Sequence, residues 1–158
     1  MLVHPKLTET VADLIGPNVQ LHHTKLHVKP PQKGYPFPLH QDYDYFPHEK
    51  DTLIAAVIYL EDVTEENGCL CVMPGVHAQG PLTHQHDGSH YLSPEEYTIE
   101  EATPCTGKAG DVVLFSYLTP HGSYPNRTNS PRRLVLFQFR SPTDKPLKDV
   151  HTSPGQGM

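Results

Sequence analysis

Two histidines and one aspartate are the residues best spaced to do chemistry. His40 and Asp42 lie two positions apart, and His121 lies far downstream. If residues 39–43 form a strand, side chains two positions apart point to the same side, so His40 and Asp42 converge. A second strand could bring His121 to the same point. Two imidazoles and one carboxylate on one face of a metal form the facial triad of non-haem Fe(II) oxygenases, which leaves the opposite face open.

A hydroxyl and a guanidinium follow the distant histidine. Ser123 lies two positions after His121, and Arg132 opens an apolar strand eleven positions after it. A planar guanidinium binds a carboxylate through two parallel hydrogen bonds, and a nearby hydroxyl adds another. Strand alternation sends Arg133 to the opposite face, which favours Arg132 as the anchor for a dicarboxylate. Arg127, in a loop, is the weaker alternative.

Five short motifs follow one another along the chain from about residue 5 to residue 140. They read HQD at 40–42, ENG at 66–68, MPGVH at 73–77, GD at 110–111, and HGS at 121–123 followed by Arg132. In these motifs and their order the chain resembles the phytanoyl-CoA dioxygenase-like family of Fe(II)/2-oxoglutarate-dependent oxygenases, which includes ectoine hydroxylases. The resemblance is specific for the family and gives no substrate.

The resemblance implies a set of site residues and co-substrates. Fe(II) would be held by His40, Asp42 and His121. The co-substrate 2-oxoglutarate would chelate the metal and place its far carboxylate on Arg132 and Ser123. With dioxygen (O2) as the second co-substrate, the expected reaction is hydroxylation of a small organic metabolite, with release of succinate and CO2.

The residues that follow the HxD motif are candidates for the substrate pocket. Tyr43, Asp44 and Tyr45 lie beside the metal ligands in sequence, although packing against neighbouring loops is an equally good interpretation. Other histidines receive ordinary interpretations. His84 and His86 have ligand-like spacing but lie in a loop, where exposure to solvent or a place on a mobile lid is favoured and a second metal site is the less favoured alternative. The histidines of the first strand are expected to face outward.

Two other classes of protein are compatible with the same residues. One is a non-catalytic metal-binding jelly roll, or a truncated fragment, with a role in recognition. The other is a jelly-roll isomerase or hydrolase that uses a different divalent metal without oxygen. Formation of succinate from 2-oxoglutarate separates the oxygenase from both.

Composition narrows the class of protein. The 158 residues carry a formal net charge of −6, so no basic surface indicates binding to nucleic acid or to an anionic membrane. The longest apolar run, residues 53–60, is too short to span a bilayer. Three cysteines cannot all pair within the chain, and Cys69 and Cys71 are expected to be buried thiols. A reducing, cytoplasmic location is the expectation.

Seventeen prolines and eleven glycines divide the sequence into short segments, which favours an all-β fold with minor helices. The predicted architecture is a cupin-like jelly roll, the same shape as the double-stranded β-helix of the resembled family. The predicted helices are Pro5–Ile15 and residues 93–101. The predicted strands are residues 19–28, 39–43, 52–60, 69–73, 111–116 and 132–139.

The pattern of apolar residues also predicts an uncovered sheet. The strands at 53–60 and 132–139 are apolar on both faces, as in sheets that are covered on both sides. The resembled family covers the outer side with N-terminal helices, and we expect residues 1–158 to form a single domain that lacks that region. An exposed apolar patch, and self-association through it, would follow.

Overall fold

Two four-stranded antiparallel sheets enclose the interior in the computed structural model, which describes residues 1–32 and 36–148. The elements in chain order are α1 (Pro5–Ile15), β1 (Gln20–Lys29), β2 (Phe37–His40), β3 (Ile54–Tyr59), β4 (Leu70–Val72), β5 (His84–Gln85), β6 (Tyr91–Leu92), β7 (Thr103–Cys105), β8 (Val112–Ser116), β9 (His121–Ser123) and β10 (Arg132–Arg140). The strand order is β1–β10–β3–β8 in one sheet and β2–β9–β4–β7 in the other, and β5 and β6 form a separate hairpin.

The main core lies between the two sheets. Leu39 of β2 and Leu70 of β4 pack there with Val57 of β3 and Leu134 of β10. Because side chains of a strand alternate between faces, Val57 and Tyr59 of β3 and Leu134 and Leu136 of β10 point into this core. The predicted all-β jelly roll is confirmed.

The sheet β1–β10–β3–β8 is the larger of the two because its strands are longer, and helix α1 covers part of its outer face. Leu7 and Val11 of α1 are buried against Ala56, Ile58 and Phe139, which point away from the main core. The helix has the predicted bounds and ends at Gly16, whose φ of 97° lies in the region that favours glycine. The two-faced apolar pattern of β3 therefore reflects a strand that is buried on both sides.

The rest of this outer face is apolar and exposed. Leu26 and Val28 of β1 are 60% and 53% exposed, and Leu60 and Val112 are 41% and 40% exposed. These residues lie on the outer face because their strand neighbours point into the core. Shallow apolar grooves also run along both sides of α1. Self-association through this surface stays a prediction.

Two predicted elements differ from the structure. Residues 93–101 do not form one continuous helix: a turn at Ser93 ends where Thr98 adopts an extended backbone, and Ile99–Glu101 form a 3-10 turn in which Ile99 packs against the main core. The strand predicted at 39–43 ends at His40, and Asp42–Asp44 form a 3-10 turn. At residues 93–101 the packing of Ile99 against the main core overrides the local helical pattern. At residues 39–43 the turn that begins at Asp42 interrupts the predicted strand.

No helix within the described part of the chain is both long enough and apolar enough to cross a membrane. Cys69 and Cys71 are buried free thiols, as expected, and Cys105 is partly buried and also free.

Candidate metal centre

The three predicted metal ligands converge on one point inside the jelly roll. Strands β2 and β9 are antiparallel neighbours, and their register sets His40 directly opposite His121. The two imidazole centroids are 4.3 Å apart. Asp42 Oδ1 lies 3.9 Å from His40 Nε2 and 3.7 Å from His121 Nε2. A first-row divalent cation could contact all three atoms after small shifts.

Asp42 reaches this point from a turn and not from a strand, which corrects the predicted strand at 39–43. Gln41 keeps an extended backbone, with φ −104° and ψ 137°, so the two-residue alternation still holds between His40 and Asp42. The chain then turns, because the N–H of Tyr45 donates to the Asp42 carbonyl. The carboxylate therefore stands at the first position of the 3-10 turn, beside the end of β2.

Both imidazoles are oriented by their second ring nitrogen. His40 Nδ1 lies 2.9 Å from the Pro38 carbonyl, and His121 Nδ1 lies 2.9 Å from the Thr119 carbonyl. A carbonyl can only accept a hydrogen bond, so each Nδ1 carries the proton and each Nε2 keeps a lone pair. Backbone acceptors of this kind fix the tautomer that metal-ligating histidines need.

A glutamine from the opposite sheet holds the third ligand. Gln138 of β10 is buried, and its Nε2 donates to Asp42 Oδ2 at 2.6 Å. The bond leaves Oδ1, the oxygen nearer the two imidazoles, available for a metal. Nothing in the sequence indicated Gln138, because its role depends on a contact between residues 96 positions apart.

Gln41, the middle residue of the HxD motif, fixes the position of the motif through its own hydrogen bonds. Gln41 is completely buried, and its side-chain amide donates to the carbonyls of Leu118 and Gly80 and accepts from the N–H of Leu82. Its own N–H donates to Nε2 of His84 at 2.9 Å. Gln41 thus uses its buried polar groups to tie β2 to two neighbouring loops, as fully satisfied buried networks do.

His84 is a structural residue, which corrects its assignment to a solvent-exposed or mobile loop. It is buried in strand β5, and its Nδ1 lies 3.0 Å from the Leu82 carbonyl while Nε2 accepts from Gln41. Burial is the largest cause that lowers the pKa of His84. Both ring nitrogens of this neutral imidazole are occupied, so His84 positions the HxD motif and offers no atom to a metal.

Gly122 lets the two ligand-bearing strands approach each other. A Cβ on Gly122 would lie 2.6 Å from the Phe37 carbonyl oxygen and 3.3 Å from the Leu39 nitrogen. Both atoms belong to the backbone of β2, so they can move only if the whole strand moves. Glycine at this position is therefore required for His40 and His121 to face one another.

Burial keeps the first ligand neutral. It is the largest cause that lowers the pKa of His40, to about 4, and the neighbouring His121 lowers it further while Asp42 raises it. At neutral pH the Nε2 atom of His40 is therefore free to bind a cation. The donor set of two imidazoles and one carboxylate fits Fe(II).

Two buried cations lie side by side in the same interior. Arg132 is only 4% exposed and Lys29 only 6%, and the two residues are cross-strand partners in the β1–β10 ladder. Arg132 donates to the Gly68 carbonyl at 2.7 Å, and its Nε atom has no partner. Lys29 Nζ donates to Ser123 Oγ at 2.7 Å and to the Tyr124 carbonyl.

No carboxylate of the described residues forms an ion pair with either of these cations, which we name the cation pair. Burial is the largest cause that lowers the pKa of Lys29, to about 8, and Arg132 is the second. Burial also lowers the pKa of Arg132. Uncompensated buried charge is costly, so the arrangement indicates a site for an anion. Arg133, in contrast, is exposed and pairs with Glu61 at 3.0 Å.

The cation pair and the three metal ligands share one interior space. Ser123, the partner of Lys29, lies two residues beyond His121 on β9, so about 7 Å separates the two positions along the strand. His27 of β1 lies two residues before Lys29, on the same face of the strand. Burial is the largest cause that lowers its pKa, to about 4. His27 therefore faces inward, contrary to the prediction.

The other histidines of β1 also depart from the expected outward orientation. His22 is buried, with its ring edge against Phe46 and against His48. His23 is partly buried and lies 5.7 Å from the ring of Phe46. The prediction failed because β1 contains a register shift between Leu21 and His23, which changes the alternation of faces.

The three predicted substrate residues lie in different surroundings. Tyr43 packs against the buried cluster that contains Tyr117, with ring centroids 5.4 Å apart, which indicates a packing role. Asp44 contacts His90 of the β5–β6 loop. The ring of Tyr45 lies 5.9 Å from His40. Tyr45 thus stands next to the metal ligands, whereas Tyr43 points into a core.

Comparison with known families identifies the chain. The family model for phytanoyl-CoA dioxygenase (PhyH) matches residues 1–134. This chain belongs to the PhyH family. The match covers all three candidate metal ligands and both members of the cation pair.

Curated relatives of the chain carry related names. It is 31% identical over 150 residues to a probable alpha-ketoglutarate-dependent hypophosphite dioxygenase of Stutzerimonas stutzeri, covering 90% of this chain and 52% of the relative. It is 32% identical over 148 residues to the human peroxisomal phytanoyl-CoA dioxygenase, covering 87% of this chain and 44% of that protein. The chain thus spans about half the length of these relatives.

A solved structure has the same fold. The chain is 25% identical to EvdO2 from Micromonospora carbonacea var. aurantiaca, whose crystal structure is a complex with 2-oxoglutarate. The TM-score is 0.78, and the match covers 95% of this chain and 65% of EvdO2.

Replacement of Gln138 tests the support of Asp42. Gln138→Leu keeps the volume but removes the hydrogen bond to Oδ2, so we expect Fe(II) affinity to fall about 10–100-fold, the usual effect of losing such a partner. Anaerobic Fe(II) titration in the presence of 2-oxoglutarate measures the affinity. Gln79→Leu, at an exposed position, is the control. Equal affinities of the two variants would refute the role of Gln138.

Replacement of Gly122 tests the close approach of β2 and β9. Gly122→Ala places a methyl group against strand backbone, so the free energy of unfolding should fall by about 1–3 kcal/mol, as for overpacking, and Fe(II) affinity should fall with it. Gly75→Ala is the control: Gly75 has a φ of 81° and open space around it. That variant should lose stability through backbone strain but keep its Fe(II) affinity, as measured by urea unfolding and anaerobic titration.

Proposed function

We propose that the chain is an Fe(II)- and 2-oxoglutarate-dependent dioxygenase that hydroxylates a small organic molecule. The observation that carries the proposal is the pairing of a His-Asp-His ligand set with a buried cation pair in one interior. Either feature alone has other uses. Together they match the two ends of a 2-oxo dicarboxylic acid, one of which binds a metal and the other a cation. A relative named as a probable alpha-ketoglutarate-dependent dioxygenase and a structural neighbour bound to 2-oxoglutarate support this proposal.

His40, Asp42 and His121 would hold the metal. Bound there with its remaining positions open, Fe(II) supplies the chemistry that activates dioxygen and oxidises both 2-oxoglutarate and the substrate. The protein contributes orientation. Each imidazole is fixed by a backbone carbonyl, and Asp42 is fixed by Gln138, so the ligand atoms need little reorganisation when the metal binds.

Arg132 and Lys29 would bind the far carboxylate of 2-oxoglutarate. Arg132 and Lys29 are paired across the ladder, and the Nε atom of Arg132 has no hydrogen-bond partner, so the two side chains could share one carboxylate. Ser123 would contribute indirectly to binding of the carboxylate, because its hydroxyl accepts a hydrogen bond from Lys29 Nζ and so positions the ammonium group. Lys29 is an addition to the anchor that the sequence indicated.

The substrate would approach from the side of Tyr45. This ring lies against His40 on one side and against His90 of the β5–β6 loop on the other, with centroids 5.9 Å and 4.4 Å apart. Aromatic and histidine side chains in this position suit a small polar or amphipathic metabolite. The net charge of −6 argues against a nucleic acid as substrate.

The decisive experiment is succinate formation. The chain, loaded anaerobically with Fe(II) and then exposed to air with 2-oxoglutarate, should release succinate slowly without substrate and faster with a productive substrate from a metabolite panel. His40→Ala and His121→Ala should each release none above background, because each removes one of three metal ligands. A metal-binding recognition domain, or an oxygen-independent isomerase or hydrolase, would give no succinate with any substrate.

The anchor predicts a second set of variants. Arg132→Lys keeps the charge but loses the planar fork, so we expect 2-oxoglutarate binding to weaken by about 1–3 kcal/mol. Arg133→Lys, on the exposed face, is its control. Lys29→Met should weaken binding by a similar amount, with Lys25→Met as control. Calorimetric titration of the metal-loaded protein measures all four.

The pH dependence of the same titration reports on Lys29. Its pKa of about 8 lies below the ordinary value of a lysine, so the ammonium loses its proton as the pH rises through that value. We expect 2-oxoglutarate affinity of the parent to decline above about pH 8 and that of Lys29→Met to lack this decline. A decline of the same size in Lys29→Met would assign the titration to another group.

A further inference from the structure

A second cluster of metal-binding side chains lies outside the triad. Within residues 1–32 and 36–148, two groups of three His, Cys, Asp or Glu side chains bring their ligand atoms within 4.8 Å of one another. One is the triad. The other consists of Asp44, His86 and His90, and we name it the hairpin cluster because both histidines belong to the loop between β5 and β6.

The hairpin cluster brings one carboxylate and two imidazoles close together. His86 Nδ1 lies 3.7 Å from Asp44 Oδ2, and His90 Nδ1 is in hydrogen-bonding contact with the same oxygen. The two imidazole rings are perpendicular, with centroids 4.7 Å apart. Metal–ligand bonds of about 2.0–2.2 Å set the ligand atoms of a tetrahedral zinc site about 3.3–3.5 Å apart, so closure requires only small shifts.

Neighbouring residues orient the cluster and limit its membership. The ring of His90 packs on Tyr45 at 4.4 Å, which restrains its orientation. His84 lies 4.0 Å from Asp44 Oδ1, but both of its nitrogens are engaged with Leu82 and Gln41. The site therefore has three protein ligands and an open fourth position. Exposure of the side chains, 56% for His86 and 37% for His90, leaves a path for a metal ion.

We propose that Asp44, His86 and His90 form a second metal site, which takes Zn²⁺ or a similar divalent cation that prefers imidazole. Two nitrogens and one carboxylate oxygen suit zinc better than Mg²⁺ or Ca²⁺, which prefer oxygen ligands alone. The occupied site would fasten the β5–β6 hairpin to the 3-10 turn that begins with Asp42. It would thereby restrain Tyr45, which ends this turn and packs on His90. This proposal does not rest on the oxygenase function.

The test must separate the two metal sites, since the triad has the same donor types. His121→Ala disables the triad from β9 and leaves the turn that carries Asp44 intact. Calorimetric titration with zinc chloride should give two ions per chain for the parent and one for His121→Ala. Cobalt(II) absorption of His121→Ala should show the visible bands of a four- or five-coordinate site.

Variants of the hairpin cluster decide the assignment. In the His121→Ala background, His90→Ala and Asp44→Asn should each weaken zinc binding about tenfold or more, and His86→Ala should do the same. His77→Ala, an exposed histidine in another turn, is the matched control and should leave it unchanged. Because His86 and His90 are partly exposed, these variants should keep the far-ultraviolet circular dichroism of the parent.

Two results would overturn the proposal. One is absence of zinc binding by His121→Ala at micromolar concentrations. The other is zinc binding by His121→Ala that is unaffected when His86 and His90 are both replaced. Neither result would bear on succinate formation by the parent chain, so failure of this site is distinguishable from failure of the oxygenase.

Discussion

The candidate metal centre depends on how closely β2 approaches β9. Each of these short strands carries one imidazole, and their register sets His40 opposite His121, with ring centroids 4.3 Å apart and ring planes tilted by 49°. The approach is possible because Gly122 has no side chain, with β2 backbone at the position that a Cβ would occupy. A strand pair only three or four residues long thus fixes the distance between two ligands. The positions of the other interior side chains are set relative to these two imidazoles.

The third ligand is held differently, by a network of buried polar groups. Asp42 stands on a turn, which alone would leave its position loosely defined. Gln138 fixes the carboxylate from the opposite sheet, and Gln41 with His84 fixes the backbone just before it. Each bond is worth more in this dry interior than it would be at the surface, and removing one partner leaves the other buried and unsatisfied. The turn is therefore held as firmly as the strands.

The parts of the site that depend on local alternation could be predicted from the sequence. His40 and Asp42 share a side because Gln41 is extended, and Arg132 faces inward while Arg133 faces solvent. Residues that reach the site only through the pairing of strands distant in sequence could not be predicted. Lys29 meets Ser123 across 94 positions, and no local pattern marks either that contact or the one from Gln138.

Sequence patterns also predicted most of the larger sheet and α1, because strands apolar on both faces and an amphipathic helix are local signals. They failed where packing overrides propensity. The acidic segment after Ser93 looks like a helix start, yet Ile99 is drawn into the core after one turn. Strands β5, β6, β7 and β9 have only two or three residues each, too few for any periodicity to be visible, whereas the equally short β4 lies inside the apolar segment 69–73 that was predicted as a strand.

The cation pair affects the stability of the folded protein. Lys29 and Arg132 repel each other in a dry interior, so the folded chain carries an energetic cost until an anion reaches them. A ligand that binds only the folded state stabilises it by mass action, by about 2.7 kcal/mol at a concentration a hundred times its dissociation constant. The dicarboxylate would then act as a folding ligand as well as a reactant. Under the proposed function, the resistance of the folded chain to proteolysis would rise with the concentration of 2-oxoglutarate.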